Sequence, residues 1–199
     1  MTKLAICVPA RDTVHAGFAL GLTKVVEQLV KTNIEHEVLF NLGTVLPDQR
    51  NTLIKNAMRI NATHVLWLDS DMHVPPSTAH RLLSHNVEIV AAAYSTRMPP
   101  YQSVAFTNKE DFDKRLTETQ GLHSVWAVGM GCMLVDMEVY QYLGQPWHNY
   151  SYNQSTESLV GEDIYFCDNA NSAGIPVHVD ATLSTELAHY GTKSFKLGE

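Results

Sequence analysis

Short apolar runs alternate with helical periodicities through the first half of the chain, and this alternation narrows the folds open to it. Residues 3–8 read as a short apolar strand closed by Pro9, a pattern suited to burial on both faces. Residues 16–31 then repeat Phe18, Leu22, Val25, Val26 and Leu29 at helical spacing. Residues 35–40 form a second strand candidate. Pro47 suits the first turn of a helix reaching Ile60, with Leu53, Ala57 and Ile60 turned inward. Residues 63–68 are again apolar with strand character. Pro75, Pro76 and Ser77 open a helix ending near Ser84, and residues 87–93 give the next apolar strand. Strands and helices alternating over about the first 90 residues predict an α/β fold with a doubly wound, mainly parallel sheet.

The second half predicts a more mixed sheet. Short strands are expected at residues 104–106, 124–128, 132–135 and 177–179. Helices are expected at 136–143 and 162–173, the latter ended by Gly174. Residues 145–160 are polar and aromatic without a period and read as a mobile loop. At 199 residues one domain with a sizeable core is expected.

Charge and cysteine usage exclude some functions. With 14 Lys and Arg against 21 Asp and Glu, the net charge of −7 disfavours a nonspecific grip on nucleic acid. Lys109, Lys193, Lys196 and Arg97 are a thin supply for a local basic surface and read as solvated charges. No run reaches the length of a membrane span, and the first residues lack the apolar region of a signal peptide. Cys7, Cys132 and Cys167 include no Cys-x-x-Cys pair, so neither a zinc site nor a disulfide framework is expected; a reducing cytoplasm fits best.

The strand candidate at 63–68 runs directly into Asp69, Ser70 and Asp71. If the strand continues, Asp69 and Asp71 share one face and both carboxylates meet at one point. Such a pair is favourable beside a divalent cation such as Mg²⁺ or Mn²⁺. The same triplet also suits a polar turn capping the next helix. His189 is a candidate third ligand, His73 a weaker one; either could equally be an ordinary surface histidine among the ten present. Glu162 and Asp163 stand at a predicted helix start, where they complement the helix dipole or supply a carboxylate that accepts a proton from an attacking hydroxyl. Arg11, Asp12, Gln49 and Arg50 could reach a base or ribose. Gly129 and Gly131 flank Met130 and either allow a tight bend or let backbone amides approach a sugar. Trp126, Trp147 and Tyr152 could form an apolar platform for a sugar ring, or lie in the core.

Together these stretches resemble GT-A glycosyltransferases, particularly the small bacterial and phage members. The matching segments are Val8 to Asp12, Asp48 to Asn51, Thr63 to Asp71, Val128 to Val135, Pro146-Trp147, Gly161 to Cys167 and His189 to Gly191. The resemblance implies a GT-A, Rossmann-like single domain, with residues 1–95 as a nucleotide-binding half and 96–199 as an acceptor-binding half. It implies a metal-dependent transferase that moves a sugar from a nucleotide-diphosphate donor, UDP- or GDP-linked, to an acceptor hydroxyl. Pro9, Ala10, Arg11 and Asp12 match the segment lining the base and ribose pocket, and Arg50 a basic residue near the nucleotide. Asp69, Ser70 and Asp71 match the metal and diphosphate motif, and His189 a metal-ligating histidine. Asp163 matches the base of inverting members, with Glu162 orienting the acceptor; in a retaining enzyme Asp163 would only position or stabilise. Gly129, Met130 and Gly131 match the segment lining donor sugar and acceptor, with Trp126 and Trp147 on the acceptor side. The cofactor is Mn²⁺ or Mg²⁺. The acceptor is open between a saccharide, a protein, a small molecule and a hydroxymethylated DNA base, in the cytoplasm, or that of the host cell if the chain is phage-encoded.

Two other functions fit the same residues less well. A nucleotidyltransferase also uses carboxylates and a divalent ion, but residues 10–15 contain no glycine for a phosphate loop. A catalytically silent nucleotide-sugar-binding module would not need the Glu162-Asp163 pair.

Overall fold

The computed structural model describes residues 2–154 and 157–191, and residues 195–196 as backbone. The first half contains β1 (Lys3–Ala10), α1 (Ala16–Lys31), β2 (Glu35–Leu42), α2 (Leu46–Arg59), β3 (His64–Leu68), β4 (Met72–His73), α3 (Thr78–Ser84) and β5 (Ile89–Ala91). The second contains β6 (Ala105–Phe106), β7 (Leu122–Val125), β8 (Ala127–Val128), β9 (Cys132–Asp136), α4 (Met137–Leu143), β10 (Ser151–Asn153), β11 (Ser158–Val160), α5 (Glu162–Ser172), β12 (Val177–Asp180), α6 (Ala181–Ser184), β13 (Ala188–His189) and β14 (Phe195–Lys196).

The central sheet has seven strands in the order β2-β1-β3-β9-β5-β12-β7. β1 pairs in parallel with β2 and β3, and β5 with β12. β9 runs antiparallel between β3 and β5, and β7 antiparallel to β12. Five strands therefore point one way, giving the mixed, mainly parallel α/β sheet expected. Because β9 inserts between strands of the first half, both halves share one sheet.

Alternation along β1 explains why its sequence is apolar throughout. Ala5 and Cys7 pack on one face with Leu53, Ile54 and Ala57 of α2. Leu4, Ile6 and Val8 pack on the other with Phe18, Val25 and Leu29 of α1. With a helix over each face, neither set of residues meets water. The periodicities of α1 and α2 name their inward residues correctly, with Leu22, Val26 and Ile60 only partly buried at the margins.

Three expectations need correction. β3 stops at Leu68, and Asp69, Ser70 and Asp71 form a turn in which the Met72 amide donates to the Asp69 carbonyl at 3.1 Å. The two carboxylates therefore do not share a strand face. Residues 124–128 are two strands that part at Trp126, β7 pairing with β12 and β8 with β6. The stretch 145–160 is not a structureless loop. β10 and β11 pair as a hairpin, and Trp147 and His148 are buried. The Trp147 indole donates to the Tyr140 carbonyl at 2.6 Å. Asn51 of α2 bonds the His148 backbone in both directions, at 2.8 and 3.2 Å. Among the described residues no helix is long and apolar enough to cross a membrane.

Leu53 is fully buried where α2 meets β1. Leu53→Ala is expected to cost about 2–5 kcal/mol of stability, read as a lower urea midpoint.

Candidate functional site

A cavity of about 550 Å³ opens where β1, β2 and β3 end, the edge at which open α/β sheets bind ligands. Its walls are Pro9 and Ala10 at the end of β1 with Arg11 after them, Gly43 and Thr44 after β2, and Leu46 and Gln49 of α2. Asp69, Ser70 and Asp71 form the floor beyond β3, and Arg97 and His189 close the far side. Of the residues expected around a nucleotide sugar, Pro9, Ala10, Arg11, Gln49, Asp69 and Ser70 thus face one cavity. Asp12 does not line it; it lies on the exposed turn beyond, where its carboxylate accepts from the Thr13 hydroxyl at 3.4 Å.

His189 comes from the other end of the chain. β13 pairs antiparallel with β4, setting His189 opposite Met72, and the Tyr190 amide donates to the Asp71 carbonyl at 2.7 Å. The Tyr190 ring stacks on His15 at 4.1 Å and fills the space beside Gly17, where a Cβ would meet its ring at 2.5 Å. This backbone pairing brings His189 Nε2 within 3.2 Å of Asp71 Oδ1. Burial works against the Asp71 charge, but the hydrogen bond and charge of His189, then Arg97, hold its carboxyl below the usual range. The Arg97 guanidinium bonds both residues, with Nε 3.1 Å from His189 Nε2 and Nη2 on Asp71 Oδ2. A carboxylate oxygen and an imidazole nitrogen so placed suit Mn²⁺ or Mg²⁺ and leave other positions for donor oxygens, provided that Arg97 swings aside. Among the described residues no group of three or more His, Cys, Asp or Glu is gathered for a metal. Asp69 in particular is committed elsewhere.

That commitment is to Arg50. Its side chain is almost wholly buried, with Nη2 3.0 Å from Asp69 Oδ1 and Nε 3.1 Å from Glu162 Oε1. The guanidinium carbon lies 5.1 Å from the Trp67 ring centre, a cation–π contact. Burial disfavours its charge, but Asp69 and Glu162 outweigh that and keep it protonated. Arg50 therefore reaches the cavity through Asp69 and does not itself line it.

Glu162 and Asp163 form the first turn of α5, whose cap residue Gly161 makes no side-chain bond. Asp163 Oδ1 folds back over Gly161 and accepts from the Ile164 amide at 2.8 Å. Burial, then the charge of Glu162, push Asp163 up to about 6 against that hydrogen bond. A carboxyl poised there accepts a proton readily near neutral pH.

The remaining candidates lie elsewhere. Gly129, Met130 and Gly131 are buried beneath Tyr94, whose hydroxyl would stand 2.6 Å from a Cβ on Gly129. They act on the site from behind, through the Gly131 carbonyl that accepts from the Asp69 amide at 3.0 Å. Trp147 is in the core and offers no face to a sugar. Trp126 is half-buried beside Asp168, in a different hollow. His73 Nδ1 sits 3.1 Å from the Tyr190 hydroxyl, outside the cavity. Lys193 and the side chain of Lys196 lie outside the described residues. Gly43, Thr44 and Leu46 carried no signal in the sequence, and Arg97 read there only as a surface charge. Because Arg50 is shared by two carboxylates, Arg50→Ala is expected to destabilise by about 3–5 kcal/mol, with Arg50→Lys recovering part, in urea unfolding.

No family model matches the chain, and no curated protein sequence does. Its fold has counterparts among solved structures. A197 from STIV superposes with a TM-score of 0.61 at 16% identity, covering 100% of this chain and 95% of that one. Drosophila β1,4-galactosyltransferase 7, solved as a mutant with manganese, UDP-Gal and xylobiose, superposes with a TM-score of 0.53 at 15% identity, covering 90% of this chain. The present chain spans 64% of that galactosyltransferase chain. The single mixed α/β domain described here thus has a GT-A-like fold, shared with that galactosyltransferase.

Proposed function

We propose that the chain is a glycosyltransferase taking a sugar from a nucleotide-diphosphate donor, UDP- or GDP-linked, to an acceptor hydroxyl. The observation that carries this reading is the Asp71–His189 pair at the mouth of a cavity whose floor carboxylate, Asp69, is tied through Arg50 to the acidic start of α5. The walls after β1 and β2 hold the nucleoside, with Arg11 as the cation nearest the base and ribose side. Asp71 and His189 would hold Mn²⁺ or Mg²⁺, which when bound neutralises the charge of the diphosphate. Asp69, fixed by Arg50, faces the donor, and residues 1–95 supply most of the nucleotide side. Asp163, from the acceptor half 96–199, takes the proton of the acceptor hydroxyl in an inverting transfer, while Glu162 stays ion-paired to Arg50 and fixes the helix start. A saccharide acceptor and a cytoplasmic setting accord with this arrangement.

A second reading of the cation is favoured by one contact. Arg97 lies against both Asp71 and His189 and faces the same cavity. Its guanidinium could itself neutralise the diphosphate, making the transfer independent of metal.

Donor hydrolysis and transfer, measured with and without EDTA, separate the two. The metal reading expects activity to vanish in EDTA, return with Mn²⁺ and stay lost in Asp71→Ala. Activity that persists in EDTA and disappears in Arg97→Ala assigns the role to Arg97. Asp163→Asn is expected to lower transfer by about 100-fold or more. In the unaltered protein the rate should climb as pH rises through about 6, because only the ionised carboxylate accepts the proton. Stability should run the opposite way. Asp163 has a raised folded-state pKa, so its contribution is full below the unfolded value near ~4 and lost as pH rises through the folded value. Asp163→Asn should therefore melt above the unaltered protein at pH 8, with the gap closing on acidification.

A further inference from the structure

A second hollow of about 200 Å³ lies away from the nucleotide cavity, between α5, the β10–β11 hairpin and the segment around Trp126. Phe112, Trp126, Tyr152 and Tyr165 contribute to its walls. Phe112 packs edge-on against Trp126 at 5.3 Å, and Tyr152 is 61% exposed. Charged groups stand among these rings. Asp168 accepts from Lys109 Nζ at 2.6 Å and from the Trp126 indole at 3.2 Å. Aromatic faces beside a carboxylate and an ammonium match the two sides of a pyranose, whose C–H face stacks on rings while its hydroxyls donate and accept. The volume suits one such ring.

The hollow does not stand alone. A neighbouring hollow of about 360 Å³ shares Phe112, Asn153, Val160 and Ile164 with it and extends to Gly161. Gly161 is the cap residue of α5, directly before Glu162 and Asp163. Asp168 lies five residues beyond Asp163 on the same helix, about 7.5 Å along its axis. Five residues also turn the helix by about 140°, so Asp163 and Asp168 face different sides, and the groove passes the cap of α5 at Gly161.

We propose that this hollow binds a pyranose ring of a neutral saccharide, and that this ring is a part of the acceptor away from its transferred-to end. The sugar site rests on its own residues; its place in the acceptor rests on the transferase reading.

Tryptophan fluorescence gives a direct test. Trp67 and Trp147 are buried in the core, so Trp126 is the tryptophan that acrylamide reaches most readily. Mono-, di- and trisaccharides of xylo, gluco, galacto and manno configuration are titrated against the full chain while quenching is followed. Saturable protection is expected, tighter for disaccharides than for monosaccharides. It should weaken by about ten-fold in Tyr152→Ala and in Phe112→Ala, and stay unchanged in Tyr142→Ala, an exposed residue outside the groove. Circular dichroism confirms that each variant is folded. No protection by any member of the panel, or full protection retained in both Tyr152→Ala and Phe112→Ala, overturns the site. Donor hydrolysis by the unaltered chain is measured in parallel. Saccharide binding without hydrolysis keeps this site and removes the transferase reading; hydrolysis without saccharide binding does the reverse.

Discussion

The buried Arg50 guanidinium is the interaction on which the rest of the site depends. It comes from α2, and it reaches a carboxylate after β3 and another at the start of α5, 112 residues further on. An arginine suits this better than a lysine, since its rigid fork serves two carboxylates from one charge. Trp67 backs it from within the sheet, so the charge is enclosed by apolar walls and two anions. In such surroundings each partner is held by a large penalty for separation, which fixes the turn after β3 and the start of α5 relative to each other.

The C-terminal segment adds a second constraint of a different kind. Leu187 and Ala188 are buried in it, and backbone pairing between β13 and β4 carries His189 to Asp71. Tyr190 then locks the junction by stacking on His15, while Gly17 leaves room for its ring. The cavity is therefore walled by strand ends that are rigid and by a strap held through a few hydrogen bonds. A ligand that adds contacts to both would tighten this strap more than any other part.

Charge is distributed unevenly around these two constraints. Asp69 and Glu162 share Arg50, and Asp71 has His189 and Arg97. Among the described residues Asp163 accepts a backbone amide and is bonded to no cation, and burial, then the charge of Glu162, raise its pKa to about 6. Environment thus sets Asp71, lowered by His189 and Arg97, apart from Asp163, raised by burial. The same arrangement costs stability at neutral pH, a common compromise at sites of chemistry.

Local pattern was enough for the architecture. The apolar runs at β1, β3 and β5 and the periodicities of α1 and α2 follow from burial on both faces of one sheet, and burial leaves a period in the sequence. Composition of the Asp69–Asp71 stretch left a shared strand face and a polar turn both open, and the structure makes it the turn. What pattern could not supply was anything held by partners far along the chain. β4, α6 and β13 are too short to carry a period, and Trp147 and His148 are held by Tyr140 and Asn51. Arg50 read as a cation that could reach a nucleotide, because a buried charge is written in its distant partners, not in its neighbours. Arg97 was unremarkable until the fold set it against Asp71 and His189. The sequence by itself determined which segments become strands and helices, because hydrophobic burial acts on each segment locally. Only the tertiary structure decided which carboxylate is neutralised, which is left to titrate and which histidine reaches the cavity, because electrostatic energy depends on distances that chain order does not contain.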